Sequence, residues 1–455
     1  MTFSRMCRQM ETARRQVRLA VLVSACLVLW NTDAQAGQTV DCEQYRLPNG
    51  INVILSRDPR TLNVAVNLSF RVGAADELPG KTGYAHLFEH MWFQGSAHIS
   101  KEVTDKLVTS IGGDEDGTTE FDRTYYYASA PANQLETLLW QRSDQMGFLA
   151  LDQARLQNQK EVVLNERKQR YENNADGRIW LELCNVLFPA PHPYSQAIIG
   201  SAADIAAATL PDARAFFDRS YVAPNASLAI VGDFEPAQAK ALVKKYFGTL
   251  PPRPANERPG SIPILPPASE VRRSLHAQGA TRRVTIGWLG PGAFTKDEAA
   301  LAVLAELLAG GRASVLYREL VVSKKLAHRV ECSADAMEYG GIFSCDLYPR
   351  DGVSFAALQA AFDAVLARMK KAGPQADDVA SAKTRHDVAR WTKLERLVDR
   401  ADLLNRYYLA TGQADYLPRD VQRFAAVDPS SVEGAARAWL DVHHRVVVDM
   451  SKEGE

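Results

Sequence analysis

Seven prolines fall within the seventeen consecutive positions "PPRPANERPGSIPILPP", residues 251 to 267. A proline lacks the backbone N–H, and its ring clashes with the preceding turn, so neither a helix nor a central strand tolerates this density. The stretch reads as a linker that divides the chain into bodies of about 210 and 190 residues once the extreme N-terminus is set aside, each long enough for its own core. The expected boundaries are 37–250 for the first body, 251–270 for the linker and 271–455 for the second. Strand patterns such as "NVAVNLSF" and "ASLAIVGDF" before the linker, and "RRVTIGWLG" and "GIFSCDLY" after it, alternate with helical periodicities in a similar order. That order predicts a duplicated α+β unit.

The ends and the composition narrow the setting. Arg5, Arg8, Arg14, Arg15 and Arg18 precede the uncharged run "LAVLVSACLVLW", and Ala34-Gln35-Ala36 offers small residues for cleavage. Residues 1–36 therefore read as a signal peptide, which places the mature chain in the periplasm or outside the cell. No later stretch approaches the length of a membrane span. A net charge of −1 gives no electrostatic reason for a nucleic-acid partner. Of the cysteines left after signal removal, Cys332 and Cys345 lie on two strand patterns around a turn near Gly340, roughly opposite each other. An oxidising compartment permits a bridge there, but the sequence cannot show the Cα spacing a bridge needs, and free buried thiols are the expectation.

Chemistry concentrates in "GYAHLFEHMWFQGS", residues 83 to 96. On a helix at about 100° per residue, His86, Glu89 and His90 share one narrow face, while Tyr84, Leu87, Phe88, Met91 and Trp92 take the opposite arc. Two imidazoles at i and i+4 can bind one zinc ion, and a carboxylate one turn from the first reaches a water beside it. The order H-x-x-E-H is the inverzincin signature. The bland alternative is a pair of core histidines satisfied by hydrogen bonds. A catalytic zinc takes three protein ligands, and "LQNQKEVVLNERKQRYENN" presents Glu161, Glu166 and Glu172 on one helix without choosing among them.

His86-x-x-Glu89-His90 followed after 75 intervening residues by Glu166 resembles the M16 metallopeptidase family, and "GGDEDGTTEFDRTYYY", "HPYSQAIIGS", "YVAPNASLAIVGDF" and "GGRASVLYREL" extend the resemblance across most of the chain. The resemblance implies an α+β fold of two homologous domains, each an antiparallel sheet with helices on one face, closing a clam-shell cleft. It implies one zinc per chain held by His86, His90 and Glu166, with Glu89 as the general base for hydrolysis of a peptide or unfolded polypeptide. It also implies that substrates add as a strand along the edge formed by "GGDEDGTTEF". Three departures stand out. Gln159 replaces a glutamate two turns before the ligand. Val321 and His328 occupy the positions where active members carry an arginine and, seven residues later, a tyrosine. His328 is thus a candidate catalytic hydrogen-bond donor. The missing pair points to a second M16-like chain in a heterodimer, or to a homodimer. The rival reading is a non-catalytic subunit that binds peptides or another chain.

Overall fold

The computed structural model describes residues 39–255 and 257–454, so the signal segment lies outside the described residues. β1 (Glu43–Arg46), β2 (Asn52–Arg57), β3 (Asn63–Phe70), β4 (Asp114–Thr119), β5 (Thr124–Pro131) and β6 (Ala226–Gly232) form one sheet in the order β1-β2-β6-β3-β5-β4. β7 (Val271–Ala277), β8 (Arg283–Gly290), β9 (Ala327–Met337), β10 (Gly340–Pro349) and β11 (Val446–Lys452) form a second sheet in the order β7-β11-β8-β10-β9. Pairing is antiparallel in both except for one parallel pair each, β2 with β6 and β7 with β11. The run β2-β6-β3-β5-β4 repeats as β7-β11-β8-β10-β9 with the same sense at every step. The duplication expected from element order is therefore a duplication of topology.

Strand β3, "NVAVNLSF", is buried on both faces, which is why its apolar residues do not alternate cleanly. One face of the first sheet packs on the helices Tyr84–Trp92, Leu135–Phe148, Gln153–Arg167 and Leu210–Ser220 in a single apolar cluster. The other face carries Ile54, Ala229 and Val231, and these meet Ala401 and Leu404 of helix Leu397–Thr411, which comes from beyond the linker. Asn405 of that helix donates to the Asn67 carbonyl and side chain on β3.

The exchange is mutual. Helix Ala175–Leu187, from before the linker, lays Ile179, Leu183 and Leu187 against Leu289, Ile342, Val446 and Val448 of the second sheet. A Cβ on Gly287 would stand 2.6 Å from Leu183, so the bare glycine of β8 is what lets this helix approach. The described residues of 251–270 contain no helix or strand. Arg258 nonetheless lies buried within them, ion-paired to Asp76 of the first half and to Glu338 of the second. The seam is tied down rather than loose.

Cys332 and Cys345 are directly opposed in the β9–β10 register and are joined as a disulfide with a Cα–Cα distance of 4.1 Å. This corrects the expectation of free thiols: the hairpin supplies the spacing that the sequence could not show. Cys42 and Cys184 are free. Among the described residues, no helix is long and apolar enough to cross a membrane.

Candidate metal centre

Helix Tyr84–Trp92 begins at Gly83, whose φ of 85° is left-handed, and a Cβ there would lie 2.4 Å from the Ile199 carbonyl oxygen. No side chain caps this end from Gly83 itself. Instead Glu77 accepts hydrogen bonds from the Gly83 and Ala85 amides, each 2.8 Å long, which satisfies donors that a helix start leaves open. Burial raises the Glu77 carboxyl to about 8, with the two amide bonds working against that rise. The apolar arc of the helix seats on the sheet: Trp92 stacks on Tyr126 of β5 at 3.9 Å between ring centroids, and Phe88 stacks on Phe217 at 5.7 Å. Tyr126 is thus a packing residue, as a strand aromatic is expected to be.

This seating turns the polar stripe toward helix Gln153–Arg167. His86 Nε2 lies 3.2 Å and His90 Nε2 3.1 Å from the same oxygen, Oε2 of Glu166. The three ligand atoms lie within 4.8 Å of one another, with His86 buried and the other two half-buried. Two neutral-capable imidazoles and one carboxylate converging on one point is the donor set a zinc ion takes, with room for a fourth, non-protein ligand. The two other candidate glutamates, Glu161 within this helix and Glu172 just beyond it, turn elsewhere. Glu161 accepts from Gln157, and Glu172 pairs with Arg167. Gln159 is buried on the same helix.

Around this triangle sit Glu89 of the motif and two groups outside it. Glu89 Oε2 is 3.5 Å from His86 Nδ1 and accepts a hydrogen bond of 2.5 Å from the Thr119 hydroxyl on edge strand β4. Arg170 reaches back one turn and holds the other oxygen of Glu166, Oε1, at 2.8 Å. Burial opposes charge on His86, but hydrogen bonds to Glu166 and Glu89 outweigh it and raise the imidazole to about 9. Burial would likewise raise Glu166, yet the hydrogen bonds from His86 and His90 hold it far below the ordinary carboxylate range. Glu89 is lowered in the same way: burial is outweighed by the bond to His86 and the one from Thr119. Thr119 is distant from the motif in sequence and only the fold brings it there, whereas Arg170 lies four residues after Glu166 and meets it by helical spacing.

Among its described residues the second half contributes nothing comparable at this point. Val321 is buried in the second apolar core, and His328, exposed at the start of β9, has its Nδ1 3.1 Å from the Pro349 carbonyl oxygen. The helix Lys296–Ala309, which follows β8 as Tyr84–Trp92 follows β3, buries only alanines, leucines and a valine. Of the remaining histidines, His98 pairs with Asp144, His192 accepts from the Tyr194 amide, and His386 stacks on Phe424.

Two family models match the chain: "Insulinase (Peptidase family M16)" over residues 52–181 and "Peptidase M16 inactive domain" over residues 207–385, together about two thirds of its length. The chain is 29% identical over 334 residues to the zinc protease PqqE of Helicobacter pylori, covering 72% of this chain and 74% of that protein. It is 23% identical over 403 residues to the uncharacterized zinc protease YmxG of Bacillus subtilis, covering 87% and 95%. Among solved structures, a protease from Helicobacter pylori superposes with a TM-score of 0.84 at 26% identity, over 91% of this chain and 100% of that one. The periplasmic protease PqqL from Escherichia coli shares the fold at a TM-score of 0.74 and 17% identity, over 91% of this chain but 48% of PqqL.

Proposed function

The chain belongs to the peptidase M16 family, and from that premise we propose that it is a zinc-dependent endopeptidase of the cell envelope, cleaving small or unfolded polypeptides. The observation that carries the reading is the convergence of His86, His90 and Glu166 with Glu89 beside them. Zinc held by those three residues supplies a Lewis acid that acidifies water and polarises the scissile carbonyl. Glu89 accepts the proton of the attacking water and returns it to the leaving nitrogen, a role worth about 10² to 10⁴ in rate. A peptide adds as a strand to the free edge of β4, which lies against the motif helix, so that main-chain hydrogen bonds carry its affinity. The Cys332–Cys345 disulfide supports the oxidising compartment that the N-terminal signal implies.

Metal analysis and cleavage of an unstructured peptide test this together. Glu89→Gln should keep zinc and lose nearly all cleavage, because an amide cannot take the proton. Glu166→Ala should lose zinc. Cleavage by Glu89→Gln near the wild-type rate removes it as the base, and equal zinc content in Glu166→Ala removes that ligand. A zinc-loaded wild type that binds peptide without cutting it would make the chain a non-catalytic subunit.

The buried Val321 and the carbonyl-bound His328 support a partner that brings the absent arginine and tyrosine to the cleft. That partner is a second M16-like chain, since a second copy of this one would carry the same Val321 and His328. The loss of one oxyanion donor costs about 10² to 10³ in rate, so the isolated chain should turn over poorly and gain activity with its partner. Full activity from a monomer would instead return the role to His328.

A further inference from the structure

Strand β4 faces two ways: its free edge takes the peptide in the proposed function, on which this inference rests, and its other side faces inward. Three inward-facing residues seat it. Glu115 is held at 2.8 Å by Arg142, a guanidinium with no exposed side-chain surface that also donates to the Tyr127 carbonyl and to Gln145. Gln145 in turn donates to the Trp92 carbonyl at the end of the motif helix. At Gly117 a Cβ would lie 3.3 Å from Glu89 Cγ and 3.0 Å from the Tyr126 ring, so the strand lies directly on the base. Thr119, itself buried, then donates its hydroxyl to Glu89 Oε2.

The consequence is an asymmetry between the two oxygens of one carboxylate. Oε2 carries the Thr119 bond and faces His86 Nδ1, whereas among the described residues no hydrogen bond falls on Oε1. We propose that Thr119 is a positioning residue that pins Glu89 Oε2 and leaves Oε1 as the atom that moves the proton. In the balanced step, one water proton passes to Oε1 as the water oxygen bonds to the carbonyl carbon. The same proton passes from Oε1 to the nitrogen as the C–N bond breaks. Thr119 keeps its own proton throughout. Because Thr119 belongs to the edge strand on which the peptide docks, docking and alignment of the base share one element.

The test uses the full zinc-loaded chain, with its partner if activity requires one. Thr119→Val removes the hydroxyl at nearly constant shape, and Thr119→Ser restores it. Thr119→Val should lower kcat about 10- to 100-fold with KM and zinc content within twofold, because a misaligned base loses part of the general-base factor. Thr119→Ser should recover kcat to within about fivefold of wild type. In a Glu89→Gln background Thr119→Val should do nothing further, as two residues acting through one another are non-additive. A Thr119→Val enzyme within twofold of wild type overturns the inference. So does a loss that serine fails to restore, or one that persists undiminished in the Glu89→Gln background. If the wild type cleaves no peptide under any condition, the peptidase reading fails and takes this inference with it; an active wild type with an indifferent Thr119 fails the inference alone.

Discussion

His86 stands between two carboxylates, Glu166 and Glu89, which favour its protonated form. Its imidazole rises from 6.5 to about 9 because hydrogen bonds to Glu166 and Glu89 overcome burial. A raised folded pKa stabilises the metal-free fold fully below the unfolded value of about 6.5, and that contribution is lost as pH rises through about 9. Zinc requires the neutral imidazole, so binding must release that proton. Apparent zinc affinity in a chelator competition should therefore climb about tenfold per pH unit between about 6.5 and 9, one proton per metal. A flat profile would show that His86 carries no proton over this range that zinc must displace. The residues of this triangle were unequally legible. His86, Glu89 and His90 declare themselves because helical spacing is local, whereas nothing local separates Glu166 from Glu161 or Glu172. Only the family resemblance singled it out. Glu77 and Thr119 reach the site through loop entry and sheet edge, and no periodicity marks them, whereas Arg170 stands at i+4 from Glu166 and becomes legible once that residue is chosen.

At the scale of elements, the strands were the most readable part of the chain. "NVAVNLSF" is β3 without a residue of error, and "GIFSCDLY" falls wholly within β10. β7, "VRRSLHA", is harder to see because an edge strand can carry exposed arginines, and its pairing with β11 rather than its composition makes it a strand. The element on which function turns is helix Tyr84–Trp92, and its fragile point is its entry. Gly83 combines a φ of 85° with a carbonyl oxygen 2.4 Å from where a Cβ would stand. Gly83→Ala therefore meets both backbone strain and a clash with backbone that cannot swing away. The expected cost is about 2–4 kcal/mol, and it falls on the turn that aims His86. Thermal unfolding should begin several degrees lower, and zinc should exchange faster even where the variant still folds. A variant with unchanged melting and unchanged zinc retention would show that the loop around Ile199 yields more readily than the geometry implies.

At the scale of the whole molecule, the linker locates the duplication but misstates the independence of the halves. One sheet is built from strands that precede the proline run and the other from strands that follow it. The crossed helices do not respect that boundary. Leu397–Thr411 covers the far face of the first sheet, and Ala175–Leu187 covers part of the second. Sequence could not show this, because an amphipathic helix advertises an apolar face without naming the sheet it will cover. The physical consequence is testable. A fragment ending at residue 250 would expose Ile54, Ala229 and Val231 on its sheet and the Ile179, Leu183 and Leu187 face of its own outlying helix, all buried in the full chain. At roughly 1.5–3 kcal/mol for each large apolar side chain returned to water, that loss is comparable to the whole stability of a domain. The fragment 37–250 alone should be aggregated or partly unfolded by size-exclusion chromatography and circular dichroism, and zinc retention should be poor although every proposed ligand is present. Co-expression with 251–455 should restore a soluble, zinc-binding complex, since the two pieces carry each other's missing helix. A monomeric, cooperatively folded 37–250 that holds zinc as the full chain does would show that the exchanged helices decorate the halves rather than complete them.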